Sequence, residues 1–122
     1  MENIDSLRSC MELAVADPVI DVVIVDRHVG NIYDDSPTEK QRQQEISDFI
    51  IEFAQKNTLN KPLVMSTNLF GNTPEVAASA VRVRKEFATA GVPAYSSLVN
   101  ATKTLSRLIK YHEFQAANQD SA

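Results

Sequence analysis

The sequence has few of the residues that build metal centres, disulfides and phosphate-binding loops. Among 122 residues it has one cysteine, two histidines, three glycines and no tryptophan. A single cysteine cannot form an internal disulfide, and Cys10, His28 and His112 do not have the spacing of a zinc site. Neither glycine-rich nucleotide-binding motif is present. We therefore predict no disulfide, no metal and no cofactor bound by this chain alone.

Long apolar runs and clustered basic residues are also scarce. No run approaches the roughly 20 apolar residues that span a bilayer, and the first five residues include two acids and no base, unlike a secretory signal. These features predict a cytoplasmic protein that does not bind membranes. The net charge is -4, which disfavours nucleic acid as a partner. The basic cluster of Arg82, Arg84 and Lys85 has helical spacing, which favours a solvated face over a phosphate site.

Four helices are predicted from apolar residues that recur every 3.6 positions. The first covers residues 4–16 and ends at Asp17-Pro18. Ser36-Pro37-Thr38-Glu39 has the pattern of a capping box and begins the second helix, and Thr73-Pro74-Glu75 begins the third. The fourth helix precedes a frayed tail at residues 117–122.

Three strands are predicted between these helices. Residues 19–25 are nearly all apolar and mostly β-branched, which is typical of a central strand covered on both faces. Residues 61–66 and 93–96 supply the second and third strands. Polar and glycine-containing stretches follow the first two strands, so residues 26–35 and 67–72 are predicted to be loops.

The alternation of helices and strands predicts an α/β fold with three layers, α/β/α, in one domain at residues 1–116. Helical crossovers impose parallel pairing, and we expect the strands in the spatial order first, second, third. Parallel sheets of this kind usually have more than three strands, so one edge of the first strand is left open. We expect another segment, a second domain or a symmetry mate to cover that edge.

Candidate binding residues lie in the two predicted loops, because open α/β sheets bind ligands beyond the carboxyl ends of their strands. They are Arg27, His28, Asn68, Gly71 and Asn72. The last three precede a helix N-terminus, whose free N–H groups could hold a phosphate, although helix capping alone also accounts for them.

Other polar residues have simpler explanations than catalysis. Asp34 and Asp35 could form a carboxylate pair, but acids before a helix N-terminus also favour the helix dipole. His112 lies on the apolar face of the fourth helix, where a packing histidine is the better interpretation. We predict no catalytic residue in this chain.

Several stretches, taken together, resemble a known family across residues 4–115. They are Ala16-Asp17-Pro18 before Ile20–Val25, Lys61-Pro62-Leu63-Val64-Met65, Ala90-Gly91-Val92-Pro93-Ala94-Tyr95 after a long helix, and Tyr111-His112-Glu113. In order and spacing they are similar to the last ligase-CoA domain of NDP-forming acyl-CoA synthetases, relatives of succinyl-CoA synthetase.

The resemblance implies a flavodoxin-like, Rossmann-like fold of five parallel strands, of which this chain supplies the last three. It also implies that the intact enzyme makes acyl-CoA from an acid, CoA, and ATP or GTP through a phosphohistidine. That histidine belongs to another domain of the family, so the resemblance does not imply phosphorylation of His28. The expected partners are the remaining domains or subunits of the synthetase, and the isolated chain is expected to be inactive.

Two other functions remain open. A receiver-like signalling module fits the length, with Asp26 ending a buried strand as a phospho-acceptor would and Thr67 near the end of the next strand. A free-standing assembly module without enzymatic activity also fits, and its partner could be a second copy that pairs through the edge of the first strand.

Overall fold

A computed structural model describes residues 4–30, 37–56 and 61–120. Within these ranges the chain forms four helices and three strands. Their order is α1 (Ile4–Ala16), β1 (Val23–Gly30), α2 (Pro37–Lys56), β2 (Leu63–Phe70), α3 (Pro74–Thr89), β3 (Ala94–Tyr95) and α4 (Leu98–Asp120). The strands form one open parallel sheet in the order β1-β2-β3. The predicted three-layer, flavodoxin-like α/β/α fold and its strand order are confirmed.

The main core lies on one face of β2. It contains buried side chains from three helices, from β2 and from the connection between α3 and β3: Met11, Ile46, Ile50, Leu63, Met65, Phe87 and Val92. The opposite face carries Val64 and Ser66, because successive strand residues point to opposite sides. Helix α4 contacts β2 and buries Ala101 and Leu105 outside the main core. Both faces of β2 are therefore covered, and β2 is the central strand.

The first strand lies later in the sequence than predicted. Residues 19–22 belong to the connection after α1, where the Val19 N–H donates to Asp17 Oδ1 at 2.9 Å and the Ile20 N–H to the Asp17 carbonyl at 3.1 Å. Val19 is 84% exposed. Because of the turn at Asp17-Pro18, the apolar residues that follow it directly, Val19 and Ile20, do not belong to the sheet. Within the described sheet β1 forms an edge, as the predicted strand order requires, and the central position that its apolar pattern suggests would need a further strand beyond it.

Both long strands extend into the segments that were predicted to be loops. Their register pairs Val23 with Leu63 and continues unbroken to Gly30 with Phe70. At the end of β1 burial alternates, with Arg27 and Val29 buried and His28 exposed. This period of two is typical of a strand with one covered face. The sequence analysis missed it because one of the buried residues, Arg27, is charged.

The structure tests the predicted ends of all four helices. Helix α1 has the predicted bounds, and the predicted cap of α3 is confirmed, with Thr73 Oγ1 accepting from the Val76 N–H at 3.3 Å. Helix α2 begins at Pro37, while Ser36 of the capping box lies outside the described residues. The predicted tail is wrong for residues 117–120, which continue α4. None of the described helices is both long and apolar enough to span a membrane.

Candidate functional site

Among the residues that the structure describes, the carboxyl end of the sheet consists of β1 and β2 alone. Strand β3 pairs only with Met65 and Ser66, so residues 67–70 of β2 extend beyond it, alongside residues 27–30 of β1. Helices α2 and α3 follow these two strands directly, and both begin at this end of the sheet. This is the position at which open parallel sheets hold ligands.

Arg27 lies inside β1, and the prediction that it is a loop residue is wrong. It is 5% exposed, and its Nη2 donates to the Gln43 carbonyl at 3.2 Å, to Gln43 Oε1 at 3.0 Å and to Ser47 Oγ at 3.4 Å. Both acceptor residues belong to α2. The guanidinium therefore fixes α2 against the sheet and places a positive charge between them.

His28 and Asn68 also lie in strands, not in loops as predicted. They are direct register partners, and both are exposed. The His28 ring lies 4.9 Å from the Phe70 ring, between centroids, at an interplanar angle of 52°. Because strand side chains alternate, His28 and Asn68 occupy the face opposite to Arg27.

Gly71 and Asn72 lie between β2 and α3, as predicted. Both are exposed, and Gly71 has a φ of 108°, a conformation that favours glycine. The five candidate residues thus occupy three places: Arg27 on one face of the sheet, His28 and Asn68 on the other, and Gly71 with Asn72 beyond the end of β2.

Arg84 and Thr67 form a polar contact that the sequence analysis missed. Arg84 Nη1 donates to Thr67 Oγ1 at 2.9 Å, and the Thr67 hydroxyl donates to the Ser96 carbonyl at 3.3 Å. Arg84 is half-buried, whereas Arg82 and Lys85 are exposed. The sequence signal for a buried Arg84 was its position in the apolar stripe of α3. Ala80, four residues before it, and Phe87, three residues after it, are both buried.

Asp26 and Ser66 form a second polar pair, on the α4 face of the sheet. The Ser66 hydroxyl donates to Asp26 Oδ1 at 2.7 Å, Ser66 is fully buried and Asp26 is half-buried. The expectation that Asp26 ends its strand is wrong, because β1 continues to Gly30. The carboxylate therefore lies within the sheet and is bonded to the neighbouring strand.

The remaining candidates from the sequence are a metal site, His112 and the carboxylate pair. The part of the chain that the structure describes contains no cluster of three or more His, Cys, Asp or Glu that could hold a metal ion. His112 is exposed, so its predicted packing role is wrong, and its ring lies 5.9 Å from the Tyr111 ring. The possible carboxylate pair, Asp34 and Asp35, lies outside the described residues.

Comparison of the chain with protein-family models, with curated proteins and with solved structures found no significant match.

Proposed function

We propose that this chain is a non-catalytic portion of an ADP- or GDP-forming acyl-CoA synthetase. In this proposal the intact enzyme joins an acid to CoA at the expense of ATP or GTP, and the nucleotide and CoA bind to its other domains or subunits. This chain completes their parallel sheet and supplies an interface and loops near the reaction centre. The open edge of β1 is the observation that carries the proposal.

The outer edge of β1 presents backbone groups suited to another strand. The Val23 N–H bonds to the Pro62 carbonyl, on the β2 side. Successive residues of a parallel strand point their N–H and C=O groups to opposite sides, so those of Ile24 and Asp26 point away from β2. No strand covers this edge within the described residues. Such an edge favours pairing with a further extended segment.

A cleft of about 320 Å³ runs along this edge. Residues 23–27 of β1 form one side, and apolar side chains of α1 and α2 form the rest, including Leu7, Met11, Ile46 and Ile50. The cleft therefore combines edge backbone with apolar surface, which is what an added strand needs to pair and to bury its side chains. A sheet that continues past β1 accords with the five-stranded domain of the synthetases.

The test is an assay of the complete natural gene product, with the proteins encoded beside it. We expect release of ADP or GDP that depends on an acid and on CoA. Ile24→Pro removes one outward N–H from the β1 edge, and we expect it to lower this activity at least tenfold, since proline blocks strand pairing. Ile24→Val keeps the N–H and is the matched control.

Three results would contradict the proposal. One is the absence of acyl-CoA formation with a broad panel of acids, and another is equal activity of the Ile24→Pro and Ile24→Val proteins. The third is activity of the isolated chain: incubation with labelled ATP, or with acyl-CoA and labelled phosphate, is expected to leave it unlabelled. Labelling that disappears in His28→Ala would assign the chemistry to this chain itself.

A further inference from the structure

We propose that the strand which pairs with the open edge of β1 carries a lysine or arginine beside Asp26, preceded by apolar residues. This selectivity rests on the proposed function, because it describes the segment that continues the sheet in the intact protein. It goes beyond that function by assigning the side chains through which β1 selects its neighbour.

Asp26 is a charged residue in the middle of the edge strand. It is half-buried on the α4 face of the sheet and accepts a hydrogen bond from Ser66 Oγ at 2.7 Å. The donor is neutral, and within the described residues the carboxylate forms no ion pair. A carboxylate has roughly four acceptor positions, so most of its capacity is left for water or for a further donor.

A strand added to β1 removes water from this carboxylate. Neighbouring strands lie about 4.8 Å apart, so one side chain on the same face of the added strand lies next to Asp26. Burial of a charge is costly unless an opposite charge or further donors replace the lost water. An apolar or acidic neighbour therefore disfavours pairing at this position, and a lysine or arginine favours it.

The residues that precede Asp26 define the rest of the pattern. Residues 23–25 are all apolar, and they line the cleft together with apolar side chains of α1 and α2, including Leu7 and Met11. An added strand buries most surface here with apolar side chains opposite all three residues. In a parallel neighbour, as in the all-parallel sheet of the proposed synthetase, the matching segment consists of three apolar residues followed by a base.

A second copy of β1 does not have this pattern. Residues 19–26 include two aspartates but no lysine or arginine. The nearest arginine, Arg27, is buried on the opposite face and bonded to α2, and His28 is a weaker cation at neutral pH. Two paired β1 edges therefore lack a strong counter-charge for Asp26. A different strand with a base at this position is expected to displace a second copy from the edge.

The experiment compares two fluorescent peptides that bind to the isolated chain. Both have the sequence Val-Ile-Val-X-Val-Thr, where X is lysine or its uncharged analogue norleucine, and N-methyl groups on the edge that faces away from β1 prevent fibrils. Fluorescence anisotropy gives the affinities, and NMR of the ¹⁵N-labelled chain locates the site. We expect the lysine peptide to bind at least about tenfold more tightly, through a charge-assisted bond, and to shift the amides of Ile24 and Asp26. Self-association of the chain weakens both peptides equally and leaves their ratio unchanged.

Two matched variants assign the preference to Asp26. Asp26→Asn can still accept from Ser66 but has no charge, and we expect it to bind the two peptides equally. Glu12→Gln removes an exposed carboxylate of α1 that lies outside the cleft, and it is expected to keep the full preference for lysine. Should Asp26→Asn fail to fold, a third peptide with glutamate at X decides, and we expect the wild type to bind it at least about tenfold more weakly than the norleucine peptide.

Equal binding of the lysine and norleucine peptides at the β1 edge would overturn the selectivity and leave the addition of a strand, and the proposed function, intact. A preference for lysine that persists in Asp26→Asn would also overturn it. Absence of binding by every peptide, or shifts remote from β1, would overturn the selectivity together with strand addition, and the acyl-CoA assay tests the proposed function separately.

Discussion

A side chain has no room at Gly30, the last residue of β1. Its φ is 140°, and a Cβ placed there would lie 1.9 Å from the Phe70 carbonyl oxygen. We expect Gly30→Ala to lower the free energy of unfolding by more than about 2 kcal/mol, because backbone strain and overlap act together. Urea denaturation followed by circular dichroism measures this loss.

Gly91→Ala separates these two causes. Gly91 also has a positive φ, of 89°, but an added Cβ would meet no heavy atom within 4 Å. Its substitution is expected to cost only about 1 kcal/mol, from conformation alone. Equal losses at the two positions would show that the contact of Gly30 with Phe70 is not tight in solution.

At the scale of elements, the last turns of α2 contain an ion pair whose effect on titration can be measured. Lys56 Nζ lies 2.6 Å from Glu52 Oε1, one helical turn away. This hydrogen bond and the charge of Lys56 lower the pKa of Glu52, with a smaller contribution from Arg8, and desolvation opposes them. Because the pKa is lowered in the folded state, the resulting stabilisation is present above the unfolded-state pKa and is lost as the pH falls through the folded value.

We expect Lys56→Gln to raise the pKa of Glu52 towards its ordinary value, as followed by the carboxyl ¹³C shift in an NMR titration. Lys85→Gln, which removes an exposed charge from α3, provides the control and is expected to leave the titration of Glu52 unchanged. An unaltered Glu52 titration in Lys56→Gln would mean that the ion pair does not form in solution. Since both side chains are well exposed, the accompanying change in stability is expected to be small.

The sequence predicts the helices of this chain better than the ends of its strands. Local signals decide where α1 ends and α3 begins: a proline after Asp17, and a threonine whose hydroxyl accepts from an N–H three residues later. The extent of β1 depends instead on its pairing with β2, which is distant in sequence. Residues 26–30, which include charged side chains, were therefore predicted to be a loop. The sequence alone does not show the strand with which they pair.

The candidate site was only partly predictable, for a similar reason. The carboxyl end of the sheet follows from the order of the elements, and Arg27 was selected on that basis. The sequence did not show that residues 27 and 28 belong to a strand. It therefore could not predict that Arg27 is buried on one face of the sheet and His28 exposed on the other. Arg84 belongs to the inward stripe of α3, yet its charge suggested solvent. Its true partner, Thr67, is seventeen positions away in the sequence.

At the scale of the whole molecule, the open edge of β1 predicts self-association of the isolated chain. Pairing of two β1 edges would extend the sheet and cover both clefts, a symmetric arrangement typical of small homo-oligomers. We expect a dimer by light scattering, and a monomer for Ile24→Pro, because that substitution removes an outward N–H. Val23 is unsuitable for this test, since its side chain packs against the core and its N–H bonds to Pro62.

Ile24→Val, with its N–H retained, is expected to dimerise like the wild type, and circular dichroism checks that both variants fold. A wild-type chain that stays monomeric at high concentration would end the idea of self-association. It would leave open whether a different protein covers the edge in the intact assembly.

The central place of β2 has a consequence for the order of events during synthesis. Strand β1 pairs only with β2 among the described strands, and the partner of Val23 is Leu63. While a ribosome has delivered only α1, β1 and α2, no parallel neighbour exists for β1, and the apolar faces of the two helices have no sheet to cover. The emergence of residues 63–70 therefore marks the earliest moment at which β1 can pair with a strand of this chain.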